Sequence, residues 1–292
     1  KLDGGGEARV WLFNDVRNPD EIFIMKDGLP VALKPEVSEV TRSIIAAQNK
    51  TGVNVVPVLF DFHILNSTNE EGGILTGEHP EFFTDKGRQA LIEAFRPWMQ
   101  EFAPQFELID LFNEPENVAP GPDAGVLYNP DVLLFLKSFA DLTHKYNGKI
   151  TVGINKPENV YRYQTIIQPD LGDVYSVHFY NVSPGGLPNA GKLGVGSAPV
   201  RITEIGAKSI EEVAAFTEEA WKKGYAGISF WPQDGFTYEG LLKAMGGLRT
   251  LAPPKATTTP VLMPAATVTP TPTASQASPP TAAPTRVPTQ VS

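Results

Sequence analysis

The sequence predicts an α/β protein of the (β/α)8 class, the TIM barrel. Seven short apolar runs, each typical of a strand, alternate with longer amphipathic segments over about 250 residues, and no hairpin turn is expected between them. Strict alternation of this kind implies parallel strands. Connections from helix to strand are short, whereas those from strand to helix are long, namely residues 63–83, 115–128 and 181–198. Long loops on one face are typical of a barrel whose site lies at the carboxyl ends of its strands.

The first half of the chain supplies three of these strands. Residues 9–13 are the first, and a helix over residues 36–50 ends at Gly52. Residues 53–60 are almost entirely Val, Leu and Phe, so both faces of that strand must be covered. A helix over residues 84–102 follows, with its apolar residues at helical spacing.

The third strand ends at a carboxylate. The apolar run after Glu107 stops at Pro115, because proline has no N–H for a sheet ladder. Glu114 therefore lies where a strand ends and a loop begins. About 90 residues later the run 199–206 repeats this arrangement with Glu204.

The second half of the chain continues the alternation. A helix begins at Asn129 and Pro130, which are a favourable N-cap and first helical residue. Ser209 and Glu212 form a capping box for a later helix that ends at Lys223. The remaining predicted elements are strands over residues 150–154, 174–179, 200–204 and 227–231, and helices over residues 158–167 and 238–247.

Seven strands are one fewer than a closed (β/α)8 barrel contains. We therefore expect the first strand and first helix of the barrel to be lacking from this chain, which makes the run at Arg9 the second strand. Such a barrel has two unpaired edges. A segment that restored the missing strand and helix should raise the melting temperature.

The last 41 residues differ in composition from the rest. Residues 252–292 contain no Asp or Glu and are rich in Pro, Thr and Ala, so they cannot bury enough apolar surface to fold. We interpret residues 1–251 as the barrel domain and residues 252–292 as a disordered linker, with an appended domain possible beyond it.

Charge and composition exclude several classes of partner. The chain has a formal net charge of −9, which argues against nucleic acid and anionic membranes as partners. No run of 18 apolar residues is present, so no membrane span is predicted. The absence of cysteine excludes disulfides and thiol catalysis.

Two strand-end carboxylates from separate strands are the requirement for glycoside hydrolysis with retention. One acts as acid and base and the other as nucleophile, with the carboxyl groups about 5 to 5.5 Å apart. Glu114 and Glu204 are the candidates. Glu116 is a rival acid, but it lies beyond Pro115 in the loop.

Several motifs together resemble a known family. The chain is similar at its strand ends to glycoside hydrolase family 5, the cellulase-like members of the retaining barrel clan. The residues that carry the resemblance, in order, are Arg9, His63, Asn113-Glu114-Pro115, His178-Phe179-Tyr180, Thr203-Glu204-Ile205-Gly206 and Phe230-Trp231.

The resemblance implies a role for each site residue. Glu114 would be the general acid and base, and Glu204 the nucleophile. The other roles would be Asn113 on the sugar 2-hydroxyl, Arg9 and Tyr180 beside Glu204, His63 and His178 around the cleaved sugar, and Trp231 as a stacking floor.

Some of these residues also have structural interpretations. Arg9 could pair with Asp110, which points into the barrel on the same face as Glu114, and this would be compatible with a direct role. Trp231 and Tyr180 could be packing residues. We interpret His79 and His144 as surface residues and predict no metal and no cofactor, because the histidines lack metal-ligand spacing.

The resulting expectation is a secreted, monomeric, retaining β-glycosidase that is endo-acting on a β-linked glucan or mannan. A carbohydrate-binding barrel without catalysis is one alternative, and a transglycosidase with the same residues is another. Trp11, Phe236 and Tyr238 are candidates for additional stacking sites.

Overall fold

The structure is a computed structural model, and it describes most of the barrel domain. The described residues are 6–13, 19–64, 79–117, 130–155, 157, 173–193, 198–237 and 239–240, with the side chains of His63 and Pro130 excepted. Several predictions concern residues outside these ranges. They are the helix over residues 158–167, most of the helix over residues 238–247, Tyr238 and the linker over residues 252–292. None of the helices in the described part is long and apolar enough to cross a membrane.

Seven parallel strands form the main sheet. Numbered in chain order with two others described below, they are β1 (Glu7–Trp11), β4 (Asn54–Asp61), β5 (Ile109–Asn113), β6 (Ile150–Ile154), β7 (Tyr175–Phe179), β8 (Val200–Ala207) and β9 (Gly227–Pro232). Each pairs in parallel with the next in the order β1-β4-β5-β6-β7-β8-β9. This nearly closed ring confirms the predicted (β/α) barrel, and the described residues supply seven of its strands.

The helices lie outside the ring and cover its apolar face. They are α1 (Pro19–Ile22), α2 (Pro35–Thr51), α3 (Asp85–Phe102), α4 (Pro130–Lys145) and α5 (Ile210–Lys222). Phe60 on β4 contacts Phe95 of α3 and Phe135 and Phe139 of α4, with ring centroids 4.8 to 5.4 Å apart. The apolar run of β4 is therefore covered by helices, as its composition predicts.

The helix ends follow the predicted capping signals closely. Gly52 ends α2 with φ of 72°, and the Thr84 hydroxyl accepts a hydrogen bond from the Gly87 N–H at the start of α3. At α5 the Ser209 hydroxyl accepts from the Glu212 N–H. The Glu212 carboxylate accepts a hydrogen bond from the backbone N–H of Lys208 rather than from that of Ser209. The donor is therefore one residue earlier than the capping-box motif predicts.

A β-hairpin interrupts the alternation, and the expectation of no hairpin is wrong. Strands β2 (Phe23–Lys26) and β3 (Leu29–Leu33) pair antiparallel around Asp27 and Gly28, whose φ values are 52° and 74°. Asp-Gly is the sequence preferred for a turn with two positive φ values. Phe23 is buried against Phe95 of α3, so the hairpin extends the packing around that helix.

Side chains tie the end strands together at the amino end of the ring. Glu7 on β1 forms an ion pair with Arg201 on β8 and accepts a hydrogen bond from Ser229 on β9. Arg201 also pairs with Glu107, the residue two before β5, at 2.9 Å. These contacts span β1, β8 and β9, although β1 and β9 do not pair through their backbones in the described sheet.

Candidate active site

Glu114 and Glu204 face each other at the carboxyl ends of β5 and β8. One carboxylate oxygen of each, together with a ring nitrogen of His178, lies within 4.8 Å of the others. The Tyr180 hydroxyl lies between the two carboxylates, 2.5 Å from Glu114 Oε1 and 2.7 Å from Glu204 Oε2. One oxygen of Glu114 and one of Glu204 are thus no more than 4.8 Å apart. That distance is close to the separation of about 5 to 5.5 Å between the two carboxyl groups of retaining glycosidases.

The backbone at Glu114 sets the direction of its side chain. Glu114 has φ of 47°, its N–H donates to the Gly153 carbonyl at 2.7 Å, and a short helical turn, Pro115–Asn117, begins at the next residue. The strand thus ends at the glutamate, as Pro115 predicts. The side chain turns into the mouth of the ring and is only 7% exposed.

Three donors contact the Glu114 carboxylate. Besides Tyr180, His178 Nδ1 lies 2.7 Å from Oε1, and Asn117 Nδ2 donates to Oε2 at 2.7 Å. Burial raises the pKa of Glu114, and the hydrogen bonds from Tyr180 and Asn117 only partly oppose that rise. The balance favours a carboxyl group that holds its proton to higher pH than an ordinary glutamate.

Tyr180 has one hydroxyl hydrogen but contacts two carboxylates. It can donate to Glu114 Oε1 or to Glu204 Oε2, but not to both at once. Burial and both carboxylates raise the pKa of Tyr180, so the phenol keeps its hydrogen at physiological pH. The phenol is therefore a neutral donor that the two carboxylates share.

Arg9 holds the other carboxylate. Its Nη1 forms an ion pair with Glu204 Oε1, its Nε donates to Asp110 Oδ2 at 2.9 Å, and its Nη2 donates to Asn113 Oδ1 at 2.7 Å. Burial lowers the pKa of Arg9, but Asp110 and Glu204 outweigh it and raise the pKa, so Arg9 stays a cation. Arg9 thus pairs with both Asp110 and Glu204, and its direct role in catalysis stays a prediction.

Two residues that sequence reasoning did not assign complete this layer. Asp61, the buried last residue of β4, accepts a hydrogen bond from Asn113 Nδ2 at 2.6 Å. Gly153 on β6 leaves room for the charges, since a Cβ there would lie 2.9 Å from both Arg9 Nη2 and His178 Nε2. An acidic residue at the end of an apolar run is a signal that could have found Asp61. No comparable signal marks Gly153.

His178 and Trp231 flank this group in different ways. The His178 side chain is fully buried, and burial lowers its pKa to about 3, so the imidazole is neutral. Its Nε2 lies 3.9 Å from Glu204 Oε1. Trp231 is half-buried, and its ring centroid lies 6.5 Å from that of Tyr180. Contacts of either residue with a sugar stay a prediction.

The other candidates lie outside this group. His63 is in a short helical turn after β4, and its side chain is not among those described. Glu116 is buried in the turn beyond Pro115. His144 is on the surface, 3.0 Å from Asp173, but His79 is half-buried and stacks on Phe82, so the surface assignment fits only His144.

Metal binding would have to use the same groups. Among the described residues, Glu114, His178 and Glu204 are the only cluster of suitable ligands close enough to share an ion. Arg9 already places a buried cation against Glu204, which opposes a second positive charge there. The absence of a required metal stays a prediction.

A cavity of about 410 Å³ lies away from the carboxylates. It is lined by the hairpin turn and by His79 and Glu81, together with Pro19, Asp20 and Met25. Neither glutamate is among its lining residues, so this cavity is not part of the candidate site.

Comparison with known proteins shows the fold but no sequence family. No protein-family model and no curated protein sequence matches the chain. Among solved structures, the chain is similar to the β-mannanase of the blue mussel Mytilus edulis, with a TM-score of 0.61 and 16% identity over 85% of this chain and 81% of that one. It is also similar to a β-glucosidase from Exiguobacterium marinum, with a TM-score of 0.51 and 11% identity over 78% of this chain and 75% of the other.

A third similar structure is endo-glycoceramidase II from Rhodococcus sp., with a TM-score of 0.51 and 15% identity over 79% of this chain and 66% of that one. Identities this low establish the fold alone. The barrel that the family 5 resemblance predicts is confirmed.

Proposed function

We propose that this protein is a retaining glycoside hydrolase that cleaves a β-linked polysaccharide by double displacement. The observation that carries the proposal is the pair Glu114 and Glu204, which face each other across one tyrosine hydroxyl. Two carboxyl groups at this separation leave room for direct attack on a sugar but not for an intervening water.

In the first step, the ionised Glu204 attacks the anomeric carbon and Glu114 donates its proton to the departing oxygen. The bond to the leaving group breaks as an ester bond to Glu204 forms. Burial supports this division, because it raises the pKa of Glu114 and so favours the protonated form of that carboxyl group. Arg9 compensates the charge of Glu204 and holds it in place.

In the second step, the same residues act in reverse. Glu114, now ionised, takes a proton from a water molecule, and that water attacks the anomeric carbon and releases Glu204. Asn113 lies between Arg9 and Asp61. We propose that this fixed amide contacts the sugar 2-hydroxyl, with Trp231 as the stacking floor and His63 at the edge of the same subsite.

We propose a glucan or mannan as substrate and endo action as the mode of cleavage. Support comes from similarity in fold to a β-mannanase and a β-glucosidase. A glucan or mannan polymer does not enter cells, so we also propose that the protein works outside the cell.

The experiment is a covalent trap combined with mass spectrometry. A 2-fluoro β-glycoside with a good leaving group should add one sugar to Glu204, because the fluorine slows the second step more than the first. Glu204→Gln should lose the label and reduce turnover of an aryl β-glycoside by a factor of about 10⁴ or more. Glu218→Gln is the matched control, since Glu218 is an exposed residue of α5.

Each alternative has its own outcome. A barrel that only binds carbohydrate would take no label at any residue, and normal turnover by Glu204→Gln would overturn the mechanism. A transglycosidase would be labelled at Glu204 but would transfer sugar to an acceptor. Product analysis with and without an added acceptor sugar therefore separates it from a hydrolase.

A further inference from the structure

Trp11 is the last residue of β1 and lies at the carboxyl end of the ring. It shares a strand face with Glu7 and Arg9, because alternate residues of a strand point the same way. Glu7 and Arg9 both bond to side chains of other strands across the ring. At about 3.3 Å per residue, Trp11 is the next layer above Arg9, toward the mouth.

The indole of Trp11 is both exposed and held in place. Trp11 is 41% exposed, which is unusual for a tryptophan. The Arg9 guanidinium carbon lies 4.7 Å from the ring centroid, a cation–π distance. Arg9 is fixed in turn by Asp110 and Glu204, so a rigid chain of contacts joins the nucleophile candidate to an exposed aromatic ring.

The position relative to the two carboxylates indicates which sugar Trp11 would meet. Arg9 contacts Glu204 and has no hydrogen bond to Glu114 among those described. In double displacement the nucleophile contacts the sugar that becomes attached, whereas the acid faces the leaving group. Trp11 is therefore on the side of the retained sugar, with the Arg9 guanidinium between it and the nucleophile candidate.

We propose that Trp11 is the platform for the sugar unit that precedes the cleaved one, so that it selects chains over single glycosides. The inference rests on the proposed hydrolase function and extends it. An exposed, preorganised indole offers an apolar face to the C–H face of a pyranose, at little cost in side-chain entropy. Arg9 covers part of the ring, and the exposed remainder is the surface for the sugar.

The experiment compares two pairs of substrates on one set of variants. The pairs are 4-nitrophenyl β-glucoside with β-cellobioside, and 4-nitrophenyl β-mannoside with β-mannobioside. Trp11→Ala should lower kcat/KM for the preferred disaccharide substrate at least tenfold, with a change of less than threefold for the matching monosaccharide substrate. Trp11→Phe should retain most of the disaccharide activity, because it keeps an aromatic face.

The opposite results are equally clear. Equal losses on both substrates would mean that Trp11 only supports Arg9, and no loss on either would mean that the ring contacts no sugar. Both would overturn the proposal. Labelling of wild-type Glu204 by a 2-fluoro monoglycoside tests the hydrolase function separately, because that reagent does not reach Trp11.

Tryptophan fluorescence gives a readout that does not depend on turnover. In a Glu204→Gln background, cellohexaose or mannohexaose should change the emission of the protein. Trp11→Phe in the same background should reduce that change, and the remainder should come from Trp231. An unaltered response would contradict a contact at Trp11. Trp98 is buried in α3 and serves as a constant signal.

Discussion

At the scale of single residues, the site depends on one proton shared between three oxygens. Tyr180 is close enough to hydrogen-bond both carboxylates but has a single hydrogen to donate. A hydrogen bond from Tyr180 stabilises the ionised form of the carboxylate that accepts it, and at Glu114 it opposes the rise in pKa that burial causes. The tyrosine thus couples the protonation of Glu114 to the hydrogen bonding of Glu204.

Tyr180→Phe tests this coupling through the pH profile. The Tyr180 hydrogen bond lowers the pKa of Glu114, so its removal should raise that pKa further. Activity that needs a protonated acid is lost as pH rises through this pKa, and the alkaline limb of kcat/KM should therefore move to higher pH. We also expect kcat/KM at the optimum to fall about 10- to 100-fold, because Glu204 loses a positioning contact.

Tyr225→Phe is the control for that measurement. Tyr225 is also a buried tyrosine, but its hydroxyl has no hydrogen-bond partner in the described structure. Its removal should leave the alkaline limb in place. An alkaline limb that stays unchanged or moves to lower pH in Tyr180→Phe would contradict the coupling.

The sequence predicts some of these residues and not others, for a physical reason. A carboxylate between an apolar run and a proline marks Glu114, and a second run of the same form marks Glu204. Gly153 is different, because its importance arises from Arg9 and His178, which are distant in sequence and meet only in the folded ring. No local pattern records such a convergence.

At the scale of elements, strand and helix periods and caps predict most boundaries to within a few residues. The end of α2 at Gly52 and the start of α3 after Thr84 follow from capping chemistry. The hairpin was missed although Asp27-Gly28 is a strong turn signal, because its strands are short and lie outside the barrel pattern. Strand β6 was predicted, but the need for its one glycine was not. Gly153 is required because Arg9 and His178 pack against it.

Gly153→Ala should destabilise the protein through β6. The added methyl group would lie 2.9 Å from buried atoms of Arg9 and His178, and overpacking of this kind costs about 1 to 3 kcal/mol. Activity should fall as well, because Arg9 positions Glu204. The free energy of unfolding in urea and kcat/KM together check both effects.

Gly185→Ala is the matched control. A Cβ at Gly185 would have no neighbour within 4 Å, so its effect should stay within about 0.5 kcal/mol. If the two variants proved equally stable and active, Gly153 would not be needed for the convergence of Arg9 and His178.

At the scale of the whole molecule, the ring is held together at both ends by ion pairs. At the amino end, Arg201 joins Glu7 of β1 to Glu107 before β5. Burial raises the pKa of Glu7, and Arg201 opposes that rise. This cluster connects the end strands of the described sheet where backbone pairing does not.

Arg201→Met should therefore destabilise the whole ring in a pH-dependent way. Loss of the cation leaves the Glu7 carboxylate without its main partner, which we expect to cost about 2 kcal/mol at pH 8. The pKa of Glu7 would rise further above its ordinary value of 4.5, so the folded state would bind a proton more tightly than the unfolded state. Stability then falls as pH rises above that value, and the cost should be smaller at pH 5.5.

Urea unfolding at both pH values is the measurement. Lys137→Met removes one partner of an exposed pair on α4 and should change the free energy of unfolding by less than about 0.5 kcal/mol. A cost for Arg201→Met that is the same at both pH values would show that Glu7 is not the group left uncompensated.

The turn of the backbone at residue 114 implies a conflict between folding and chemistry. Its φ of 47° is a conformation that glycine adopts freely and that a side chain makes costly. The residue best suited to the fold at this point has no side chain, whereas the proposed acid catalysis requires a carboxyl group there. The proposed role thus gives a reason for a glutamate at a position where glycine would cost less.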